Sequence, residues 1–169
     1  MALTRPKYSS IYDTDYKQSV RLATTTDVGN LLIAGGNITD TVDGFTVSVD
    51  DRILVKDQSD PIQNGIYRVV SVGTGTDGIW VRDHDADEYG NNKVSSGMTT
   101  TVTEGLVNEY STWKLITIDP ITVGVTSLTF VNPFLAAAQV GGSNKDVQFN
   151  DLGVVNGTSG LTFNKVGNI

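Results

Sequence analysis

Short runs of branched apolar residues, each closed by turn residues, recur along the middle of the chain. Val20-Arg21-Leu22-Ala23 opens the series ahead of a Thr-rich stretch. Thr41 to Val47 reads as a strand, an Asp43-Gly44 turn and the start of a second strand, because Asp-Gly accepts the positive φ that a two-residue hairpin turn demands. Arg52-Ile53-Leu54-Val55-Lys56 follows Asp50-Asp51, and Asn64-Gly65 precedes Ile66-Tyr67-Arg68-Val69-Val70. In the latter run, alternation places Ile66, Arg68 and Val70 on one face and Tyr67 and Val69 on the other. Asp77-Gly78 precedes Ile79-Trp80-Val81-Arg82, and further strands are predicted at 97–103, 112–118 and 127–131. No part of this body sustains a helical period. The pattern predicts an all-β fold, a small antiparallel sandwich or barrel over 20–133, rather than βαβ units.

The flanks have a different texture. Residues 1–19 form a polar N-terminal arm carrying Tyr8, Tyr12 and Tyr16 at four-residue spacing. That spacing suits one face of a short helix, and it suits equally an extended arm whose tyrosines dock into a neighbour. After the body, 134–144 reads as a linker: Pro133 to Val140 favours a short helical turn, and Gly141-Gly142-Ser143-Asn144 breaks the chain. Residues 145–169 have only sparse apolar pins, among them Val147, Phe149, Leu152, Val154, Leu161 and Phe163. These are too few for a separate core, so the segment is predicted to be extended and interwoven in an oligomer, with Phe149, Leu161 and Phe163 as subunit contacts.

Composition strengthens the β reading. Val, Ile and Thr number 21, 11 and 21, and branched Cβ atoms crowd a helical turn while packing well on a pleated surface. The formal charge of −7, from 12 basic and 19 acidic side chains, opposes binding to a phosphate backbone, and no Lys/Arg cluster offsets it. Nucleic acid is therefore not an expected partner. Cysteine is absent, which removes disulfides, thiolate metal sites and Cys nucleophiles together. No apolar run approaches the roughly 20 residues of a membrane span, and Met1 to Ser10 holds no apolar stretch of the kind a secretory signal needs. The sequence predicts synthesis in a cytoplasm and no membrane insertion.

Candidate chemistry is sparse. His84 is the only histidine and lies in an acidic run without a nucleophile elbow, so a Ser-His-Asp site is not expected. Asp83, Asp85 and Asp87 are candidates for a hard cation such as Ca²⁺, but their loop lacks the glycine and glutamate spacing of an EF-hand. Aspartates that cap a turn explain the same residues, and that reading is preferred. Trp80 and Trp113 sit inside apolar runs, where core packing is commoner than stacking on a sugar. Gly73 to Gly78 reads as a hairpin loop, since no helix follows to present N–H groups to phosphate. No cofactor and no catalytic residue are expected.

A resemblance adds to this picture. Val20 to Thr25, Val42-Asp43-Gly44, Asp51 to Gln58, and Asn64-Gly65-Ile66-Tyr67 resemble a module common in phage tail fibres and related appendages, which typically reads VR-ATT … TIDG … GDRVLVKDQ … NGIY. Trp80 to Asp87 matches the module's W-R-x-x-D-A-D element. Glu104-Gly105 with Trp113-Lys114-Leu115, and Pro120 to Gly124, follow in the same order. The chain departs from the pattern at Asp50, where the family usually has Gly. Gly141 to Asn150 and Ser159 to Asn164 are similar to a GGSN-x-x-VQFN … G-LTFN segment of many phage fibres. The resemblance implies a structural, non-enzymatic part of a tailed-bacteriophage virion, the N-terminal part of a tail fibre or similar appendage, working as a homotrimer. Tyr8, Tyr12 and Tyr16 would then dock on other virion proteins of the tail, baseplate or neck. Host surface glycan would be met, if at all, through downstream parts. The rival expectations are a carbohydrate-binding receptor module, marked by an exposed Trp80 or Trp113, and the stem of a polysaccharide-degrading tailspike.

Overall fold

A computed structural model describes residues 15–33, 36–72, 77–87 and 94–134 in full, and the backbone alone of 146–151 and 154–162. The chain divides into two compact units, Met1–Pro133 and Phe134–Ile169. In the first, β1 (Leu22–Ala23), β4 (Arg52–Val55), β5 (Gly65–Ser71) and β6 (Ile79–Arg82) form a sheet in the order β1-β4-β5-β6. A second sheet has the order β7-β8-β9, from Thr99–Thr101, Thr112–Leu115 and Phe130–Val131. The strands β2 (Thr41–Val42) and β3 (Phe45–Thr46) pair as a hairpin. The only helical piece among the described residues is one 3-10 turn, Pro61–Gln63. The fold is all-β and sandwich-like.

The four-stranded sheet lies at the middle of this body because apolar residues cover both its faces. Ala23, Leu54 and Ile66 pack with Val102, Leu115, Leu128 and Phe130 of the second sheet and its flanks. Leu22, Ile53, Val55, Tyr67, Val69 and Trp80 point the other way, into a cluster with Val28, Leu31, Ile38, Val42 and Val47. A strand covered on both sides needs a continuous apolar run, which is why Ile53-Leu54-Val55 does not alternate. In β5 the predicted alternation holds, with Tyr67 and Val69 buried together, but the opposite face is buried only at Ile66; Arg68 and Val70 are exposed.

Two features differ from the purely antiparallel strands expected. The pairing of β1 with β4 is parallel, and Tyr16 and Val20 form parallel bridges to Thr99 and Val102. Residues 16–24 therefore serve two sheets in turn. Lys17 and Val20 donate to the carbonyls of Thr99 and Thr101, after which Arg21 and Thr24 donate to Arg52 and Leu54. One extended segment thus joins both sheets through its own backbone; of the three tyrosines whose spacing left helix and extended arm open, only Tyr16 lies within it.

The turns follow their residues. Asp43 (φ 47) and Gly44 (φ 82) both take positive φ, the requirement of a type I′ hairpin. Asp50, where the resembling module has glycine, lies at φ 70, a conformation that glycine adopts at no steric cost. Asn64-Gly65, expected as a turn, instead leads straight from the 3-10 turn into β5. Gly65 lies at φ 149, and the Arg82 guanidinium occupies the space a Cβ there would need. In the second unit, β10 (Asp146–Asp151) and β11 (Val154–Thr162) pair as an antiparallel hairpin with a register shift at Asp146/Val147.

Candidate functional site

The acidic run after β6 is organised around one guanidinium. Arg52, near the start of β4, reaches Asp85 through Nη1 at 3.1 Å and Nη2 at 3.0 Å, and its Nη1 also contacts Asp83. The side chains are largely buried, at 13% exposed for Arg52, 2% for Asp83 and 9% for Asp85. Two hydrogen bonds to one carboxylate hold a planar fork in a single orientation. The other Asp83 oxygen accepts the His84 backbone N–H at 2.7 Å and meets His84 Nδ1 at 2.7 Å. Burial pushes the Asp83 carboxyl up, but the His84 hydrogen bonds and the Arg52 charge together hold it below its ordinary 3.8.

That clasp decides what the loop does chemically. Asp83 and Asp85 commit their oxygens to Arg52 and His84, so they do not form an open acid pair of the kind glycoside hydrolysis uses. Among the described residues, no group of three or more His, Asp or Glu side chains is placed to hold a metal ion. Asp87 lies half-buried beyond the clasp. The aspartates fasten the loop to β4, and their sequence pattern gave no sign that Arg52 would be the partner.

The docking and contact residues expected from sequence are placed unevenly. Tyr16 is 81% exposed although its backbone is bridged to β7. Tyr8, Tyr12 and Phe163 lie outside the described residues, as does most of the Pro133–Val140 stretch. Phe149 belongs to β10 and Leu161 to β11. Trp80 is buried in the central core at 4% exposed. Trp113 packs against the other cluster, with Lys56 Nζ 4.2 Å from its ring centroid.

The polar residues of the resembling pattern bond to one another. Arg21 pairs with Asp51 at 2.5 Å and with Glu104 at 3.0 Å. The Thr24 hydroxyl donates to Asp57 at 2.9 Å. Asn64 Oδ1 accepts the Gln58 N–H, and the Gln58 side chain brackets the next loop by accepting from Val28 and donating to the Gly29 carbonyl. Asp43, 8% exposed, accepts from the backbone of Val107 and Asn108 and from Asn108 Nδ2, at 2.9–3.1 Å.

Two apolar surfaces escaped the sequence reading. Held by Asp43, the loop after Glu104 displays Leu106, Val107 and Tyr110, each more than three-quarters exposed. Beside β6 lies a groove of about 430 Å³ bounded by the strand itself and by Leu31, Leu32 and Ile33. Both look like ordinary strand or loop residues in a linear pattern, because exposure depends on which neighbour is missing. Among the described residues, no helix is long and apolar enough to cross a membrane. No protein-family model matches the chain, and neither a curated protein nor a solved structure matches it.

Proposed function

We propose that the chain is a structural, non-enzymatic component of a tailed-bacteriophage virion, the N-terminal part of a tail fibre or similar appendage that assembles as a homotrimer. The observation that supports this reading is the mutual wiring of the resembling residues. Arg21 with Asp51, Thr24 with Asp57, Gln58 with Asn64, and Arg52 with Asp85 are pairs within the quoted pattern. Chance matches scattered over a hundred residues have no reason to be each other's hydrogen-bond partners. The pattern is the polar framework of one domain, and a domain family is the natural source of such a framework.

The work proposed is mechanical. A body with both faces of its central sheet covered carries load through packed strands, while the flanking segments supply contacts to neighbours. The carbohydrate-binding alternative asks for a tryptophan face open to a sugar. Trp80 is buried and Lys56 covers the Trp113 ring, so no observation here favours it.

Light scattering on the purified chain tests the trimer, with an expected mass about three times 18.1 kDa; a monomer overturns that part. Peptide mass spectrometry of density-purified particles from the encoding phage tests the location. Finding the chain at a stoichiometry typical of a fibre supports the reading, and its absence from intact particles overturns it.

A further inference from the structure

Among the described residues, the outer edge of β6 is an unpaired sheet edge. The sheet order ends at β6. The Asp83 N–H bonds the Ile66 carbonyl, and Arg68 lies opposite Val81. Antiparallel pairing alternates its hydrogen-bonded positions. The backbone groups of Val81 therefore face β5, and those of Trp80 and Arg82 face outward, where no strand among the described residues pairs with them. Edge strands are ordinarily defended by lysine, proline or a bulge in the edge itself. This one reads Ile-Trp-Val-Arg, with no lysine or proline; its one charge is the Arg82 guanidinium turned in over Tyr67, and the register shift of the β5–β6 pair falls in β5, between Val69 and Ser71.

Both sides of that edge are apolar. On one face Val70, Ile79 and Val81 are exposed at 43%, 37% and 39%, because the second sheet does not extend over them. On the other, the 430 Å³ groove separates β6 from Leu32 and Ile33. An incoming strand would rest alternate side chains on these two apolar surfaces. The charge is specific as well. Arg21, Arg52 and Arg68 each have a carboxylate partner. Arg82 has none among the described residues: its Nη atoms donate to the Asn64 and Ile62 carbonyls, and it lies over the Tyr67 ring, 5.0 Å from the centroid. Trp80 Nε1, which belongs to the same groove wall, is buried without a hydrogen-bond partner.

We propose that this edge binds an extended acidic segment of a partner polypeptide, apolar at alternate positions, whose backbone pairs with Trp80 and Arg82 and whose carboxylate answers the Arg82 guanidinium. Main-chain bonds would supply the affinity and the flanking pockets the selectivity, as in other strand additions. An acidic strand is the occupant that complements a cation with no carboxylate partner among the described residues, in a groove walled mostly by apolar side chains. The inference stands independently of the virion reading.

The test uses the full chain and a blocked hexapeptide, Thr-Val-Glu-Ile-Thr-Val, about the length of a typical strand, followed by amide hydrogen exchange. Binding is expected to slow exchange at Trp80 and Arg82 about tenfold or more. Replacing the peptide glutamate by glutamine should weaken binding about fivefold or more, since it removes the charge from a desolvated pair. In the protein, Val81→Glu, on an exposed position, should weaken binding about tenfold while Val81→Thr stays within about threefold; thermal melts confirm that both variants fold. Millimolar peptide without protection at β6 overturns the proposal, as does equal binding of the glutamine peptide. Protection of Trp80 and Arg82 that grows with protein concentration in the peptide-free chain also overturns it, replacing the acidic partner with a second copy.

Discussion

Removing Arg52 would leave two largely buried carboxylates facing each other, with no cation between them. Breaking a buried pair at one side costs about 3–5 kcal/mol, so Arg52→Met should lower unfolding free energy by about that much in urea titrations. The same clasp sets an acid limit. Asp83 titrates lower in the folded chain than its ordinary 3.8, so the stability it contributes is fully present above its unfolded pKa and is lost as pH falls through the lower folded value. Stability measured from about pH 5 down to about pH 2 should therefore fall less steeply in Asp83→Asn than in the parent. An unchanged slope would assign the acid sensitivity elsewhere. Asp50 is the opposite kind of residue, a side chain where the backbone favours none. Its φ of 70 and its exposed 3.2 Å contact with Arg68 balance a steric cost against a surface ion pair of little worth. Asp50→Gly should raise stability by up to about 1 kcal/mol, read as a rise in melting temperature. The clustered aspartates were visible in the sequence, but their partner was not, since 31 residues separate Arg52 from Asp83.

The β2–β3 hairpin illustrates what an element inherits from local chemistry and what it acquires from elsewhere. Asp43-Gly44 announces a two-residue turn, and the turn forms where the pattern places it. The second task of Asp43 is not local. Its carboxylate holds the backbone of Val107 and Asn108, 64 and 65 residues away, and Gly105 has no Cβ because Asp43 Oδ2 occupies that space. Asp43→Ala removes three acceptor contacts and leaves Asn108 buried, so a loss of about 2–4 kcal/mol is expected. Hydrogen exchange should show the 105–110 loop opening before the sheets do. The segment 16–24 makes a parallel case. A strand is predicted only from Val20 to Ala23, with 1–19 as an arm, whereas the folded chain runs 16–24 as one extended segment divided between two sheets. The change of partner falls at Arg21, whose N–H bonds Arg52 while its carbonyl accepts from Glu104. Val20→Ala, at a fully buried position where both sheets meet, should cost about 1–3 kcal/mol.

At the scale of the whole molecule, the described body packs a four-stranded sheet between a three-stranded sheet and a layer of loops with one hairpin. Its all-β character was legible before any coordinates, because branched side chains, alternation and Asp-Gly turns act over a few neighbouring residues and exert the same preference in any fold. The extent of each strand was less legible. The run predicted over 97–103 is continuous strand only at Thr99–Thr101, with Val102 bridged to Val20, and that over 127–131 only at Phe130–Val131, since a strand extends only as far as its partners do. What only the tertiary structure decided is which strands adjoin. Sheet order determines that β4 is covered on both faces while β6 is left as an edge. It brings Arg21 to Glu104 across 83 residues and leaves Arg82 without a carboxylate partner among the described residues. Local pattern carries conformational preference and burial periodicity. Partnership between distant segments is set by the shared core they must bury, and it is there that the surfaces available for binding are made.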